Sequence, residues 1–200
     1  MLTCAHNLYD RESKKKGSDL TFTPAANGEV GRSYAVKKCY YPPEFETLPE
    51  KDKSEYDIGV VELEEDLSGR YGYLGIDASE ENLEGVDEVE VCGYPSDKKP
   101  KHTMWTAAGK LRGHNKKFLL HKIPTEEGQS GSPLIKEAKG RKYILGMHIG
   151  SDAKIERNIA VRLTPERRRM INQWVGEITG RLNLCKNEFI QLGRDWEMGR

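Results

Sequence analysis

Short apolar or alternating runs recur along the chain and are separated by Gly, Pro and charged residues, a pattern typical of antiparallel β proteins. Their separations of roughly a dozen or two residues suit a barrel or a sandwich better than alternating βαβ units. A stretch rich in Gly, Asp and Glu at 64–85 predicts a connector between a shorter first half and a longer second half. We predict strands over 33–42, 57–63, 87–95, 118–123, 132–137, 142–150 and 159–163.

One amphipathic helix is predicted near the C-terminus, over about 164–179. Thr164 can cap it, Pro165 suits the first helical position and Gly180 can end it. Residues 181–200 have no such pattern and are interpreted as a tail. Apolar side chains recur on one helix face, as packing against a barrel requires: Met170, Ile171, Trp174, Val175 and Ile178.

Composition excludes several functional classes. A chain of 200 residues can bury a sizeable core without metals or disulfides. The 32 basic and 32 acidic residues balance, which argues against a nucleic-acid protein, and no apolar run reaches the length of a membrane span. Cys4, Cys39, Cys92 and Cys185 are scattered without a CxxC pair, so no metal is expected and their disulfide state stays open. Cys4 and Cys92 lie in apolar runs and are expected to be buried thiols.

The most informative segment is GQSGSP at 128–133. Glycines on both sides of Ser130 allow the exposed tight turn that a reactive serine needs. The backbone N–H groups of Gly128 and Ser130 are the natural donors to a developing oxyanion. An ordinary Gly-Ser hairpin turn is the alternative, and the string is not a GxSxG nucleophile elbow because glycine directly follows the serine.

Two further segments supply a base and a carboxylate. MLTCAH at 1–6 predicts a small-residue strand that ends at His6, where an imidazole could act as a general base. Asp57 directly precedes an apolar strand, and a buried carboxylate is costly unless it is paired, for example with an imidazole N–H. A structural histidine and an aspartate that ends a turn are the alternatives. The histidines at 102, 114 and 121 lie in or near loops and offer no comparable context.

The order of the three candidate residues strengthens their interpretation. His6, Asp57 and Ser130 follow one another in the order of chymotrypsin-type enzymes, whereas subtilisins and α/β-hydrolases use other orders. Their spacing leaves room for two half-barrels to contribute the parts.

The same segments resemble a known family. LTCAH at 2–6 resembles the LTAAH signature of trypsin-like serine proteases, with Cys4 in place of an alanine, and YDIGVVEL and GQSGSP resemble the family's aspartate strand and nucleophile loop. Thr125 five residues before the serine, SGSP, GMHIG at 146–150 and VCGYP at 91–95 resemble the glutamyl-endopeptidase (V8-like) group. The resemblance covers nearly all of residues 1–180.

The resemblance implies an all-β fold, a double antiparallel β-barrel of chymotrypsin type with a C-terminal helix. It divides the chain into a half-barrel at 1–75 and a second barrel at 76–180. It also implies a serine endopeptidase that acts through an acyl-enzyme without a cofactor, as a monomer on peptides or proteins, with no nucleic-acid or membrane partner. The catalytic residues would be His6, Asp57 and Ser130.

The resemblance further implies a pocket for an acidic substrate side chain at P1. Thr125 and His148 would line this S1 pocket, and Gly150 would lie beside the substrate backbone. Hydroxyl and imidazole groups can both donate to a carboxylate. A core histidine on the strand is the alternative for His148.

One departure concerns the beginning of the chain. Met1 lies five residues ahead of His6, so we expect that roughly one to three strands of the first barrel are missing and that the chain is truncated there. No signal peptide is present, although the family is usually secreted, and the localisation stays open. The alternative function is a protease-like barrel without a working site that serves as a binding module.

Overall fold

The computed structural model describes residues 1–79, 83, 86 and 88–179, which form mainly short antiparallel strands. Three α-helices, α1 Glu44–Thr47, α2 Ser68–Tyr71 and α3 Pro165–Thr179, and two 3₁₀ turns, Ala5–Asn7 and Lys53–Tyr56, complete the described elements. None of these helices is long and apolar enough to cross a membrane. The strands are β1 Leu2–Thr3, β2 Tyr9–Asp10, β3 Lys15–Lys16, β4 Thr21–Phe22, β5 Tyr34–Tyr40, β6 Gly59–Leu63, β7 Gly75–Ile76, β8 Val89–Gly93, β9 Trp105–Gly109, β10 Leu111–His114, β11 Phe118–His121, β12 Pro133–Ala138, β13 Arg141–Asp152 and β14 Arg157–Arg162.

The first half of the chain forms a four-stranded sheet in the order β1-β6-β5-β4, beside a small β2-β3 hairpin. Strand β6 is buried at its start because Gly59, Val60 and Val61 have no charged side chain to solvate. It pairs antiparallel with β1, with Thr3 opposite Gly59. This register brings the residues that follow β1 to the residues that precede β6.

The second half forms the larger sheet, in the order β10-β11-β14-β13-β12-β8-β9, and β7 pairs in parallel with β13. The long strand β13 lies at its centre between β12 and β14. Pro133 at the start of β12 lies opposite Met147 on β13, so the loop before β12 reaches residue 148. The two curled antiparallel sheets and the C-terminal helix confirm the predicted chymotrypsin-type β fold.

Two of the three apolar cores in the described part of the chain hold this arrangement. One lies within the second sheet and consists of Val89, Val91, Leu119, Ile123, Leu134, Leu145 and Ala160. The other joins both sheets to α3 and consists of Tyr40, Ile58, Val60, Val161, Leu163 and Ile171. Met170, Trp174, Val175 and Ile178 also pack against the second core, which confirms the predicted apolar helix face. Burial of this stripe stabilises α3 more than its intrinsic propensity does.

Each of the seven predicted strands overlaps an observed strand, but other elements were missed. Strand β9, WTAAG, lies at the sheet edge with mostly exposed side chains, so it carries no apolar alternation. The predicted connector at 64–85 contains the short elements α2 and β7. Position 180 and the tail at 181–200, with Cys185, lie outside the described residues. The division at 75/76 stays a prediction.

Cysteines in the described part of the chain are free thiols at positions 4, 39 and 92. Cys4 is buried, as predicted, but it follows β1 rather than lying within a strand. Cys92 is only half-buried on β8, because its side chain alternates with the inward-facing Val91.

Ile58 provides a test of the core between the sheets. It is 0% exposed and directly follows Asp57. We expect Ile58→Ala to lower the free energy of unfolding by about 2–5 kcal/mol because it leaves a cavity where the two sheets and α3 meet. Urea denaturation measures this loss, with Val30→Ala as the control because Val30 is 74% exposed. A loss no larger than that of the control would contradict the packing described here.

Candidate active site

The structure brings His6 and Asp57 together. The ring atom Nδ1 of His6 lies 2.6 Å from Oδ2 of Asp57, and the backbone N–H of His6 donates to Oδ1 at 2.9 Å. Asp57 is 6% exposed, so both of its carboxylate oxygens find a partner inside the protein. A proton held on Nδ1 leaves the Nε2 lone pair free to act as a base.

His6 lies in a 3₁₀ turn, where a strand ending at this residue was predicted. Strand β1 stops at Thr3, and the turn at 5–7 follows at once. The turn lifts the histidine out of the sheet, and its side chain is exposed while Ala5 beside it is buried. This placement combines a fixed backbone with access for a substrate.

The loop that carries Ser130 depends on two glycines. Gly128 has φ +90° and Gly131 has φ +89°, values that side chains rarely tolerate. A Cβ on Gly128 would lie 2.8 Å from the carbonyl oxygen of Tyr94, and a Cβ on Gly131 would lie 2.7 Å from Oγ1 of Thr3. Both positions therefore require glycine for conformation and for space.

The buried Gln129 stabilises this loop through hydrogen bonds to its backbone. It is 5% exposed, and its Oε1 accepts the backbone N–H of Glu126 at 2.8 Å. Its own N–H donates back to the carbonyl of Glu126 at 3.2 Å, and the N–H of Ser132 donates to the carbonyl of Gln129 at 3.0 Å. The turn is thus fixed on both sides of the half-exposed Ser130.

The N–H groups of Gly128 and Ser130 have no protein acceptor among the described residues. They remain available for a ligand oxygen. Among the hydrogen bonds of the described residues, none joins the ring of His6 to the hydroxyl of Ser130. The link between their segments is Asn7, whose Nδ2 donates to the carbonyl of Ser130 at 3.0 Å. Sequence reasoning missed Asn7.

His148 lies on β13 next to the loop of Ser130 and is 3% exposed. Its N–H donates to the carbonyl of Ser132 at 2.8 Å, and its carbonyl accepts the N–H of Gly131 at the same distance. Thr125 is half-buried in the loop between β11 and Gly128. A Cβ on Gly150 would meet open space, so the backbone there can be approached closely.

His121 is a second residue that sequence reasoning missed. It falls within the predicted strand at 118–123 but is given no role there, whereas in the structure it ends β11, is 0% exposed and packs edge-on against His148 with ring centroids 5.3 Å apart. Within the described structure, neither of its ring nitrogens has a hydrogen-bond partner, and Nδ1 of His148 has none either. The two-residue spacing of Leu119 and His121 within the predicted strand places both on one face of the sheet, and this is the signal that could have identified it.

Burial controls the protonation of this histidine pair. Loss of solvent lowers the pKa of His121 to about 4, and the nearby His148 adds to this effect. Burial likewise lowers the pKa of His148 to about 4, with a further contribution from His6. Both rings are therefore neutral at pH 7.

Cys4 lies against the same strand. Its Sγ donates to the carbonyl oxygen of His148 at 3.1 Å. Burial, followed by the negative charge of Asp57, raises the pKa of this thiol well above its usual value. The thiol therefore remains protonated and can keep donating this hydrogen bond.

Cys4, His6 and Asp57 each offer one metal-ligand atom within 4.8 Å of the others. The atoms of His6 and Asp57 are already joined at 2.6 Å, and the thiol of Cys4 donates to a carbonyl. These contacts favour acid–base chemistry at the site over metal ligation.

A cavity of about 300 Å³ lies elsewhere, between the turn at 53–56 and α3, and no residue of the His6, Asp57 and Ser130 set lines it.

The chain has recognisable relatives. It is 30% identical over 147 residues to a glutamyl endopeptidase of Bacillus licheniformis, a match that covers 72% of this chain and 44% of the relative. It is 36% identical over 64 residues to a glutamyl endopeptidase of Staphylococcus epidermidis, which covers 32% of this chain and 21% of that protein. The chain thus spans less than half the length of these curated relatives.

Solved structures show the same fold. A structure of a Glu endopeptidase superposes with a TM-score of 0.76 at 22% identity and covers 86% of this chain and 79% of its own. The protease Anisep from Arthrobacter nicotinovorans superposes with a TM-score of 0.63 at 15% identity and covers 82% of this chain and 77% of its own. Residues 1–147 match the family model described as a trypsin-like peptidase domain. The chain therefore belongs to the trypsin-like peptidase family, within which its relatives are glutamyl endopeptidases.

Proposed function

We propose that this chain is a serine endopeptidase in which Ser130 is the nucleophile, His6 the general base and Asp57 the carboxylate that orients the base. The observation that supports this most strongly is the buried Asp57, which accepts hydrogen bonds from both the ring and the backbone of His6. An imidazole held in this way keeps its second nitrogen, Nε2, free to accept a proton during the reaction.

In the proposed reaction, Oγ of Ser130 attacks the scissile carbonyl carbon while Nε2 of His6 takes the hydroxyl proton. Asp57 stabilises the imidazolium that forms, and the N–H groups of Gly128 and Ser130 stabilise the oxyanion. The tetrahedral intermediate then breaks its C–N bond, and His6 returns the proton to the leaving amine. Water hydrolyses the acyl-enzyme by the same sequence and releases the acid and free Ser130.

We also propose that the enzyme prefers Glu or Asp at P1. Thr125 and His148 would donate to the substrate carboxylate, and the names of the two relatives support this preference. A neutral imidazole supplies one N–H donor, and a bound carboxylate would favour its protonated form. Gly150 would contact the substrate backbone, since no side chain fills the space beside it.

Substitution at the triad tests the reaction. Ser130→Ala should abolish labelling by a phosphonate probe, and Asp57→Asn should lower kcat by about 10⁴ because His6 then adopts the wrong tautomer. Peptide hydrolysis and mass spectrometry of the labelled protein measure both effects. Asp97→Asn is the control, because Asp97 is exposed and paired only with Lys98 in the described contacts. A folded wild-type chain that leaves Ser130 unlabelled would refute the enzyme and favour a binding module.

Peptide libraries that vary P1 test the pocket. We expect cleavage after Glu or Asp, and we expect Thr125→Val to lower kcat/KM for a Glu substrate by about 10–100-fold, the value of one hydrogen bond to a charged group. A substrate with Leu at P1 should be little affected by that substitution and serves as the control. A wild-type preference for a basic or apolar P1 would overturn the pocket assignment.

The histidine pair predicts a pH-dependent stability. Each folded-state pKa of about 4 lies below the ordinary value of 6.5, so stability is fully present above pH 6.5 and is lost as pH falls towards 4. Each histidine contributes up to about 1.4 kcal/mol per pH unit in this window. Urea denaturation at pH 7, 6, 5 and 4 should show a shallower pH dependence in His121→Leu than in the wild type.

The exposed His102 provides the control for this measurement, and His102→Gln should leave the pH dependence unchanged. Equal slopes for His121→Leu and the wild type would show that the pair is not held neutral by burial.

A further inference from the structure

Asn7 connects the turn of His6 directly to the nucleophile. Its side-chain Nδ2 donates to the carbonyl oxygen of Ser130 at 3.0 Å and to Oγ1 of Thr3 at 3.2 Å. The two linked residues are 123 positions apart in the chain. One amide therefore joins the turn after β1 to the loop before β12.

Close packing accompanies this hydrogen bond. A Cβ on Gly131 would lie 2.7 Å from Oγ1 of Thr3 and 3.1 Å from Nδ2 of Asn7, so the turn and the loop already touch. On the other side of His6, the thiol of Cys4 donates to the carbonyl of His148, which also accepts the N–H of Gly131. The base is thus flanked in sequence by two residues that bond to the second half of the chain.

The chemistry needs such a connection. Asp57 holds His6 from the first sheet, whereas Ser130 belongs to the second sheet, and proton transfer requires their reacting atoms to approach within about 2.6–3.2 Å. A displacement of about 1 Å can cost a hundredfold in rate. We propose that Asn7 is a positioning residue that sets the approach of Ser130 to His6, an inference that rests on the proposed peptidase function.

Asn7 is suited to a clean test because its side chain is exposed. Removing it leaves no buried cavity, and the carbonyl of Ser130 can bond to water instead. Asn7→Ala should therefore fold normally, with an unfolding temperature close to that of the wild type. Its kcat should fall by about 10–100-fold at unchanged KM, because positioning acts on the transition state and not on substrate binding. The rate of phosphonate labelling at Ser130 should fall by the same factor.

A matched control is available at Asn115. Its side-chain oxygen accepts the N–H groups of Lys117 and Phe118 and so stabilises a turn in the second half of the chain. Asn115→Ala should lower the unfolding temperature but leave kcat unchanged. The conservative variant Asn7→Gln keeps the amide donor and should recover part of the kcat that Asn7→Ala loses.

Amide hydrogen exchange at Gly131 gives a readout that does not depend on activity. If Asn7 holds the loop, the Gly131 N–H that donates to His148 should exchange faster in Asn7→Ala than in the wild type. An unreactive wild type with this faster exchange would refute the proposed function but support the anchoring role. Unchanged kcat in an active Asn7→Ala variant, a loss confined to KM, or unchanged exchange at Gly131 would each overturn the proposal.

Discussion

The contact between the buried carboxylate of Asp57 and the ring and backbone of His6 governs the rest of the site. An isolated carboxylate at 6% exposure would cost several kcal/mol, and the two N–H groups of His6 offset that cost. The β1–β6 register places these segments side by side, and Ile58 fixes the carboxylate by anchoring the next residue in the core between the sheets. A shift of one residue in this register would separate the pair.

The two sheets divide the chemistry between them. The first carries His6 and Asp57, while the second carries Ser130 and His148, so the proposed activity depends on how the sheets meet. Apolar packing with α3 supplies most of the attraction but has little directional preference. Hydrogen bonds from Cys4 and Asn7 add direction at the point where the turn of His6 contacts the second sheet and the loop of Ser130. Non-directional burial and a few directional polar contacts thus serve different purposes in one interface.

The two buried, neutral histidines of the second sheet lower the free energy of unfolding, and the proposed substrate specificity would be the reason they are kept. His121 and His148 place polar rings in a buried region, where their desolvation costs free energy that apolar side chains would not. Their burial keeps them uncharged at neutral pH, so the proposed pocket would donate to a carboxylate without holding a permanent charge. This physical pattern is consistent with groups retained for binding and is difficult to explain by packing alone.

The sequence by itself determined those features that depend only on residues close together in the chain. The glycines around Ser130, the apolar strand after Asp57 and the one-sided face of α3 each reflect backbone conformation or periodicity within a few residues, so these could be predicted. Strand β9, the pairing of His121 with His148 and the bond from Asn7 to Ser130 could not, because each depends on a partner distant in the chain. Only the tertiary structure decided which histidine contacts Asp57 and which is buried beside the loop of Ser130. Strand pairing sets these distances, and no local pattern in the sequence encodes that pairing.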